Sequence, residues 1–207
     1  MDGFRLRDRV SRAMGQAARF NGVPYTVFRP RGMLPPLEQR LGTIAIYASF
    51  TPQPSQGGLA SRIGDALWHG QFDTCYTCAG DYLVGDGNIF FIVNQVPLVT
   101  PVCIKTNARI SVYAAAADGP SQYAGFQIET AFEVARNWPA YEALQGGDAS
   151  SNTTATRFGI FEFILPVSFP DIDAGLVVVD GSGRCYLVDS IAHGAFGKLL
   201  RATVFTA

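Results

Sequence analysis

Two apolar runs meet at an Asp-Gly pair in the segment Gly80-Asp81-Tyr82-Leu83-Val84-Gly85-Asp86-Gly87-Asn88-Ile89-Phe90-Phe91-Ile92-Val93. Asp-Gly between two β-rich runs is a strong local signal for a β-hairpin, because a type I′ turn requires a positive φ at both of its central residues. The segment therefore predicts a hairpin over residues 82–94.

The same pattern returns about a hundred residues later in the chain. Four apolar residues, 176–179, lead into Asp180-Gly181-Ser182-Gly183 and then into Cys185-Tyr186-Leu187-Val188. In both copies an aromatic residue stands three positions after the last glycine, Phe90 in the first and Tyr186 in the second. Two matched hairpins predict two similar β-modules, with both aromatic side chains buried at equivalent places. We expect type I′ turns at both Asp-Gly pairs.

The N-terminal region has the periodicity of an amphipathic helix over residues 5–20. Its apolar stripe, which recurs at spacings of four, four and three residues, consists of Leu6, Val10, Met14 and Ala17. Asn21-Gly22 suits a left-handed helix cap, and Pro24 prevents the helix from continuing. The sequence therefore predicts one α-helix in front of the first β-module.

Strand patterns dominate the rest of the chain. The alternation between Val102 and Val112 is typical of a β-strand, and the small, flexible run at 114–120 is the best candidate for a boundary between modules. We therefore expect a mainly β protein with two small β-barrel or β-sandwich modules: an N-terminal helix at 1–22, a first module at 23–117 and a second module at 118–207.

Apolar residues make up 48% of the 207-residue chain and charged residues only 16%. Two interpretations stay open: the protein keeps apolar surface for partners, or it has a large β-core with loops rich in glycine and alanine.

No apolar run approaches the ~20 residues that span a bilayer, so no membrane partner is expected. The N-terminus lacks the apolar segment of a signal peptide, which predicts reduced cysteines in a cytoplasm.

Charge is distributed unevenly along the chain. Residues 1–31 hold seven arginines and two aspartates, a local charge of +5, whereas the remaining 176 residues hold nine basic and fifteen acidic residues, a local charge of −6. This asymmetry predicts a basic element that meets an acidic partner. The candidate interface on the helix consists of Arg5, Arg9 and Arg12 with Leu6, Val10 and Met14. The alternative is an ordinary amphipathic helix packed on its own body.

Candidate chemistry is sparse. Cys75-Tyr76-Thr77-Cys78 has the spacing of half a zinc site, but a structural zinc needs four ligands, and a reactive dithiol should open a helix rather than precede a strand. Gly181-Ser182-Gly183 leads into a strand, so no helix N-terminus stands behind it to bind phosphate. No nucleophile elbow or Ser/Cys–His pairing is visible. The sequence predicts no catalytic residue, no metal, no cofactor and no enzymatic activity.

A set of short motifs spreads over about half of the chain, from residue 80 to the end. They are residues 80–84, Gly87, 90–92, Pro97-Leu98, 102–107, Trp138-Pro139-Ala140, 183–188 and 199–202. Together they resemble a family of small virion proteins of tailed bacteriophages, encoded near portal and capsid genes. The hairpin pattern Gly-Asp-x-x-x … Gly-x-x-Tyr/Phe-x-Val is also similar to the β-barrel of phage head-closure, or stopper, proteins.

The resemblance implies a structural role in a virion that is assembled in the cytoplasm of a host bacterium. The protein would form a homo-oligomeric ring at the head–tail junction or in a short tail, of the connector, adaptor or stopper type, around the DNA channel. Its partners would be portal or tail proteins, with non-specific DNA contact in the channel. Sequence-specific nucleic-acid binding is disfavoured, because no aromatic residues interleave with the arginines of the helix.

Two other functions stay open. Within a virion the chain could be a tail-tip, baseplate or decoration subunit, and from a different class it could be a soluble β-sandwich module that binds a glycan or a peptide. The resemblance assigns no role to any single residue, because proteins of this family act through surfaces.

Overall fold

The computed structural model describes residues 3–38, 40–53, 66–114, 131–145 and 159–205. Along these residues one α-helix is followed by twelve β-strands: α1 (Gly3–Asn21), β1 (Val23–Phe28), β2 (Arg40–Pro52), β3 (Leu67–Phe72), β4 (Tyr82–Gly85), β5 (Asn88–Asn94), β6 (Val102–Lys105), β7 (Ala108–Ala114), β8 (Phe132–Gln145), β9 (Ile160–Leu165), β10 (Val177–Asp180), β11 (Cys185–Gly194) and β12 (Gly197–Phe205). The predicted N-terminal helix is confirmed.

The strands form two closed antiparallel barrels of six strands each. The first barrel has the order β1-β2-β3-β6-β5-β4 and the second has the order β7-β8-β9-β12-β11-β10. Each barrel is thus two three-stranded meanders, joined through the first and fourth strands and through the third and sixth strands. Because the two orders are the same, the β4–β5 and β10–β11 hairpins take equivalent places. The predicted mainly β fold with two modules is confirmed.

The two hairpin turns differ in geometry. In the first, Asp86 and Gly87 have φ angles of 50° and 69°, as a type I′ turn requires. In the second, Gly183 donates a backbone hydrogen bond to Asp180, and the left-handed residue is Gly183, with a φ of 84°, rather than Gly181. The expected type I′ turn at Asp180-Gly181 is therefore wrong. The longer loop moves the left-handed glycine to its last position, as in a type I turn followed by a bulge.

The aromatic residue of each hairpin lies inside its barrel. Phe90 is 2% exposed and stacks on Phe50, with ring centroids 3.9 Å apart. Tyr186 is fully buried and contacts Phe161 and Phe163 edge to face, with centroids 5.0 and 5.2 Å away. The predicted burial of both side chains is confirmed. Loss of the Phe90 ring would cost ~3–5 kcal/mol, as for other core aromatics.

The change from one barrel to the other occurs between β6 and β7, at Thr106-Asn107. The boundary predicted at residue 117 therefore has to move, because β7 belongs to the second barrel. Apolar and polar residues alternate from Val102 to Val112 without a break, so this pattern did not show that β6 and β7 pair with strands of different barrels. Asn107 holds the junction: its side-chain N–H donates to the Glu142 carbonyl at 2.9 Å, and its Oδ1 accepts from the Glu142 N–H at 2.7 Å.

The two barrels share a core. The interior of the first barrel is one apolar cluster, which includes Val27, Phe72 and Phe90. Along the same strands, residues on the outer face of the first barrel, such as Tyr82 and Phe91, belong instead to the apolar cluster that fills the second barrel. The first barrel thus buries one of its outer faces against the second, and the interface is apolar like the barrel interiors.

Candidate functional site

Helix α1 packs on its own first barrel through small residues. Ser11 and Ala18 are its buried side chains, and the Ser11 and Thr74 hydroxyl oxygens are 2.7 Å apart. A Cβ added to Gly15 would lie only 2.8 Å from the Cβ of Asp73, so the helix and the barrel are in close contact there. Of the two alternatives for the helix, the structure shows packing on the body, through a face other than the apolar stripe.

The predicted interface residues remain at the surface of α1. Leu6 is 40% exposed, and Val10 and Met14 are half-buried beside the packing face. The side chains of Arg5, Arg9 and Arg12 are exposed. The apolar stripe is thus only partly covered by the first barrel, and the arginines lie free of it. A role of these six residues in docking on a partner stays a prediction.

A groove of about 370 Å³ runs between α1 and the first barrel. Arg12, Gln16 and Arg19 line its helix side, and its barrel side is lined by Tyr47 of β2 and by Tyr76 of the short 3₁₀ turn Thr74–Tyr76, which follows β3. The two tyrosines are 46% and 49% exposed. No local pattern in the sequence indicates this site, because the aromatic residues lie far from the helix along the chain.

A second groove, of about 500 Å³, lies where the turn of each hairpin meets the junction between the barrels. Its charged lining residues are Lys105, Arg109, Glu142 and Asp180. The same groove includes Gly87 from the first hairpin turn and Ser182 from the second. Both repeated turns therefore contribute to one polar surface, which the sequence did not predict.

Tyr186 connects the two carboxylates of this inter-barrel groove. Its hydroxyl donates to Asp180 Oδ2 at 2.8 Å and is 3.3 Å from Glu142 Oε1. Burial, the hydrogen bond to Asp180 and the negative charge of Glu142 raise the pKa of the Tyr186 phenol, so it remains a donor. Burial and the nearby Asp180 raise the pKa of Glu142. The arrangement positions two carboxylates but includes no nucleophile–base pair.

The main role of Asp180 is to stabilise the turn in which it lies. Its Oδ1 accepts hydrogen bonds from the backbone N–H groups of Ser182 and Arg184, at 2.8 and 3.0 Å, and from the Ser182 hydroxyl at 2.6 Å. Burial opposes ionisation of Asp180, but these hydrogen bonds and that from Tyr186 together lower its pKa. The ionised carboxylate therefore stabilises the loop of the second hairpin.

The Cys-x-x-Cys segment belongs to a structural network around Asp81. This carboxylate is 1% exposed and accepts two hydrogen bonds from Arg29, at 2.8 and 2.7 Å. It also accepts from the Cys78 N–H at 2.9 Å, and the Cys78 Sγ lies 3.4 Å from its Oδ1. Burial and the charge of Asp81 raise the pKa of Cys78, and burial and Asp73 raise that of Cys75. Both thiols are thus disfavoured as thiolates, the form that reacts or binds metal.

Within the described ranges, no group of three or more His, Cys, Asp or Glu side chains is arranged to hold a metal ion. None of the helices in the same part of the chain is both long and apolar enough to cross a membrane.

The loop between β5 and β6, residues 95–101, presents apolar side chains to solvent. Val96, Leu98 and Val99 are 47%, 51% and 56% exposed. Leu98 also has a φ of 68°, in the left-handed region that a leucine rarely adopts and that costs ~1–2 kcal/mol. Strained backbone of this kind persists only where the surrounding structure imposes it, and it often marks a functional segment.

The chain matches no known family model, no curated protein and no solved structure.

Proposed function

We propose that this protein is a non-enzymatic structural subunit of a tailed-bacteriophage virion, forming a ring at the head–tail junction or in a short tail around the DNA channel. The observation that carries the proposal is the β5–β6 loop. It combines three exposed apolar side chains with a strained Leu98, which is costly for a monomer in water. Burial of these side chains against a neighbouring subunit would offset that cost.

A closed ring of identical subunits requires two different surfaces that fit one another. The second apolar surface is the stripe on α1, where Leu6 is 40% exposed and Val10 and Met14 are half-buried. The loop and the helix belong to different elements of the first barrel region, so one copy can present the loop while the next presents the helix. This head-to-tail arrangement is the assembly that we propose.

The motifs that resemble phage virion proteins support the same assignment. Pro97-Leu98 lies in the β5–β6 loop, and residues 80–84 and Gly87 form the hairpin that precedes it. The resembling residues therefore include the surface proposed for assembly as well as core positions.

Native mass spectrometry of the purified chain tests the proposal. We expect a discrete ring of many copies, which the variant Leu98→Asp should dissociate into folded monomers. Aspartate tolerates a positive φ better than leucine does, so the substitution should not unfold the loop. The matched control is Val167→Asp, at a residue that is 50% exposed in the second barrel region, and it should leave the ring intact.

A stable monomer at high micromolar concentration would contradict the ring. Equal dissociation by both aspartate variants would show that the loop is not the specific contact. In purified virions that contain the protein, immunogold labelling at the neck would support the head–tail position, whereas labelling at the distal tail or over the capsid would favour a tail-tip, baseplate or decoration subunit.

The inter-barrel groove favours a second candidate, a soluble module that binds a polar ligand such as a glycan or a peptide. Its volume of about 500 Å³ lies within the usual range of ligand pockets, and its mixed charges, from Lys105, Arg109, Glu142 and Asp180, suit a polar ligand. A monomer that binds a component of a glycan or peptide array, and loses it on Glu142→Ala, would support this candidate over the ring.

A further inference from the structure

Four arginines and one glutamine form a straight line along α1. Arg5, Arg9, Arg12, Gln16 and Arg19 follow one another at spacings of four, three, four and three residues, which places them on one side of a helix. All five are exposed. From Arg5 to Arg19 the line extends roughly 21 Å, at 1.5 Å per residue. We call these five residues the arginine stripe.

Among the residues that the structure describes, no side chain holds a guanidinium group of the stripe. None of its four arginines forms an ion pair or a side-chain hydrogen bond with a described residue. Arg29, by contrast, is held by the buried Asp81. Four exposed cations on one line create a field that attracts a polyanion with regularly spaced charges.

The groove between α1 and the first barrel adds aromatic surface to this line. Arg12, Gln16 and Arg19 lie on one side of the groove, and Tyr47 and Tyr76 lie on the other, with about half of each tyrosine exposed. Asp73 adds one negative charge to the groove lining, against the two positive charges of Arg12 and Arg19, and its Oδ1 accepts a hydrogen bond of 3.0 Å from the Cys75 N–H. Cations beside exposed aromatic side chains are the combination found where proteins hold a single strand of nucleic acid.

We propose that the arginine stripe and the α1 groove form a binding site for single-stranded nucleic acid without sequence preference. The phosphates contact the guanidinium groups, and a base stacks on Tyr47 or Tyr76. An acidic protein segment would use the arginines but would gain little from the two tyrosine rings, whereas a nucleic-acid strand uses both. This inference is independent of the ring, because the site is complete within one chain.

Fluorescence anisotropy with a labelled twenty-nucleotide poly-dT strand tests the site. If four phosphates are neutralised, affinity should fall roughly 50-fold between 50 and 200 mM salt, from a slope of about −0.7 per phosphate. The variant Arg12→Glu/Arg19→Glu should weaken binding at least tenfold and reduce the salt dependence. The control Arg136→Glu/Arg184→Glu makes the same change of net charge at exposed residues of the second barrel, and it should have little effect.

Variants of the two tyrosines test whether bases stack on the rings, a contribution that electrostatic attraction alone would not produce. Tyr47→Ala and Tyr76→Ala should each weaken binding of the single strand fivefold or more, and binding of a twenty-base-pair duplex less than twofold. Tyr47→Phe keeps the aromatic ring and should restore binding. Circular dichroism should show native strand content in each variant.

Three outcomes would overturn the proposal. The strand could fail to bind at 50 mM salt, the two charge-reversal pairs could weaken binding equally, or poly-glutamate of the same length could bind as tightly and with the same response to the variants. Native mass spectrometry reports the ring separately, so failure of either proposal is distinguished from failure of the other.

Discussion

The hydroxyl of Tyr82 in the first barrel donates a 2.7 Å hydrogen bond to the backbone carbonyl of Pro139 in the second. Tyr82 is fully buried, and its ring meets Trp138 edge to face with centroids 6.3 Å apart. One residue thus connects the barrels through both a polar and an apolar contact. The two barrels should therefore unfold together as one cooperative unit.

Tyr82→Phe should lower the free energy of unfolding by ~1–2 kcal/mol, because it leaves the buried Pro139 carbonyl without its donor while keeping the ring. Urea unfolding followed by tryptophan fluorescence measures this. Trp68 reports on the first barrel and Trp138 on the second, so single-tryptophan variants compare the two midpoints. The half-exposed Tyr47 provides the control, since Tyr47→Phe should change stability by less than ~0.5 kcal/mol. Separate midpoints for the two probes would contradict cooperative unfolding.

The turn glycines should respond differently to alanine. Gly87→Ala should destabilise the protein by ~1 kcal/mol, because the φ of 69° disfavours an L side chain although the space around it is open. Gly181→Ala should be neutral or slightly stabilising, because Gly181 has no positive φ and an added Cβ would meet its nearest neighbour at 3.9 Å. Thermal unfolding of the two variants tests the difference between the hairpins, and equal losses would argue against it.

Glu142→Gln should stabilise the protein near neutral pH. Burial and Asp180 raise the pKa of Glu142 above its ordinary value of 4.5. The folded state therefore binds this proton more tightly than the unfolded state, so the stability it contributes below 4.5 is lost as pH rises through the raised pKa. Urea midpoints measured from acid to neutral pH should diverge in favour of the variant. Equal urea midpoints for the two proteins across that pH range would contradict this expectation.

Leu98→Gly should raise the stability of the monomer by ~0.5–1 kcal/mol. Glycine removes the cost of a φ of 68° and loses part of that gain through its greater freedom in the unfolded chain. Thermal unfolding of the monomer measures the effect, with Val96→Gly as the control, because Val96 is similarly exposed but has no positive φ. A loss of stability on Leu98→Gly would mean that the side chain contributes more through its contacts than its backbone costs.

The fold was predictable where the signal is local. The turn at Asp86-Gly87 depends on the φ preferences of its own two residues, and the helix depends on a periodicity that lies within sixteen residues. The equivalence of the hairpins also followed, because each aromatic stands at the same distance from its turn glycine.

Predictions based on long-range pairing were weaker. A strand pattern shows that a segment pairs, but not with which strand. The boundary between the barrels was therefore predicted at residue 117, later in the chain than its observed position at Thr106-Asn107. The helix periodicity drew attention to Leu6, Val10 and Met14, whereas close contact with the barrel requires small residues such as Gly15 and Ala18. The α1 groove depends on Tyr47 and Tyr76, whose neighbours are set by the closed barrel.

The chain order of the barrels has a consequence during synthesis. Strand β6, the last strand of the first barrel, leaves the ribosome before any strand of the second barrel does. The face that carries Tyr82 and Phe91 then has no partner for roughly 5–20 s, the time needed to translate the hundred residues up to the end of β12 at 5–20 residues per second. A chain truncated after Asn107 and released from the ribosome would expose that apolar face to chaperones and to other copies of itself.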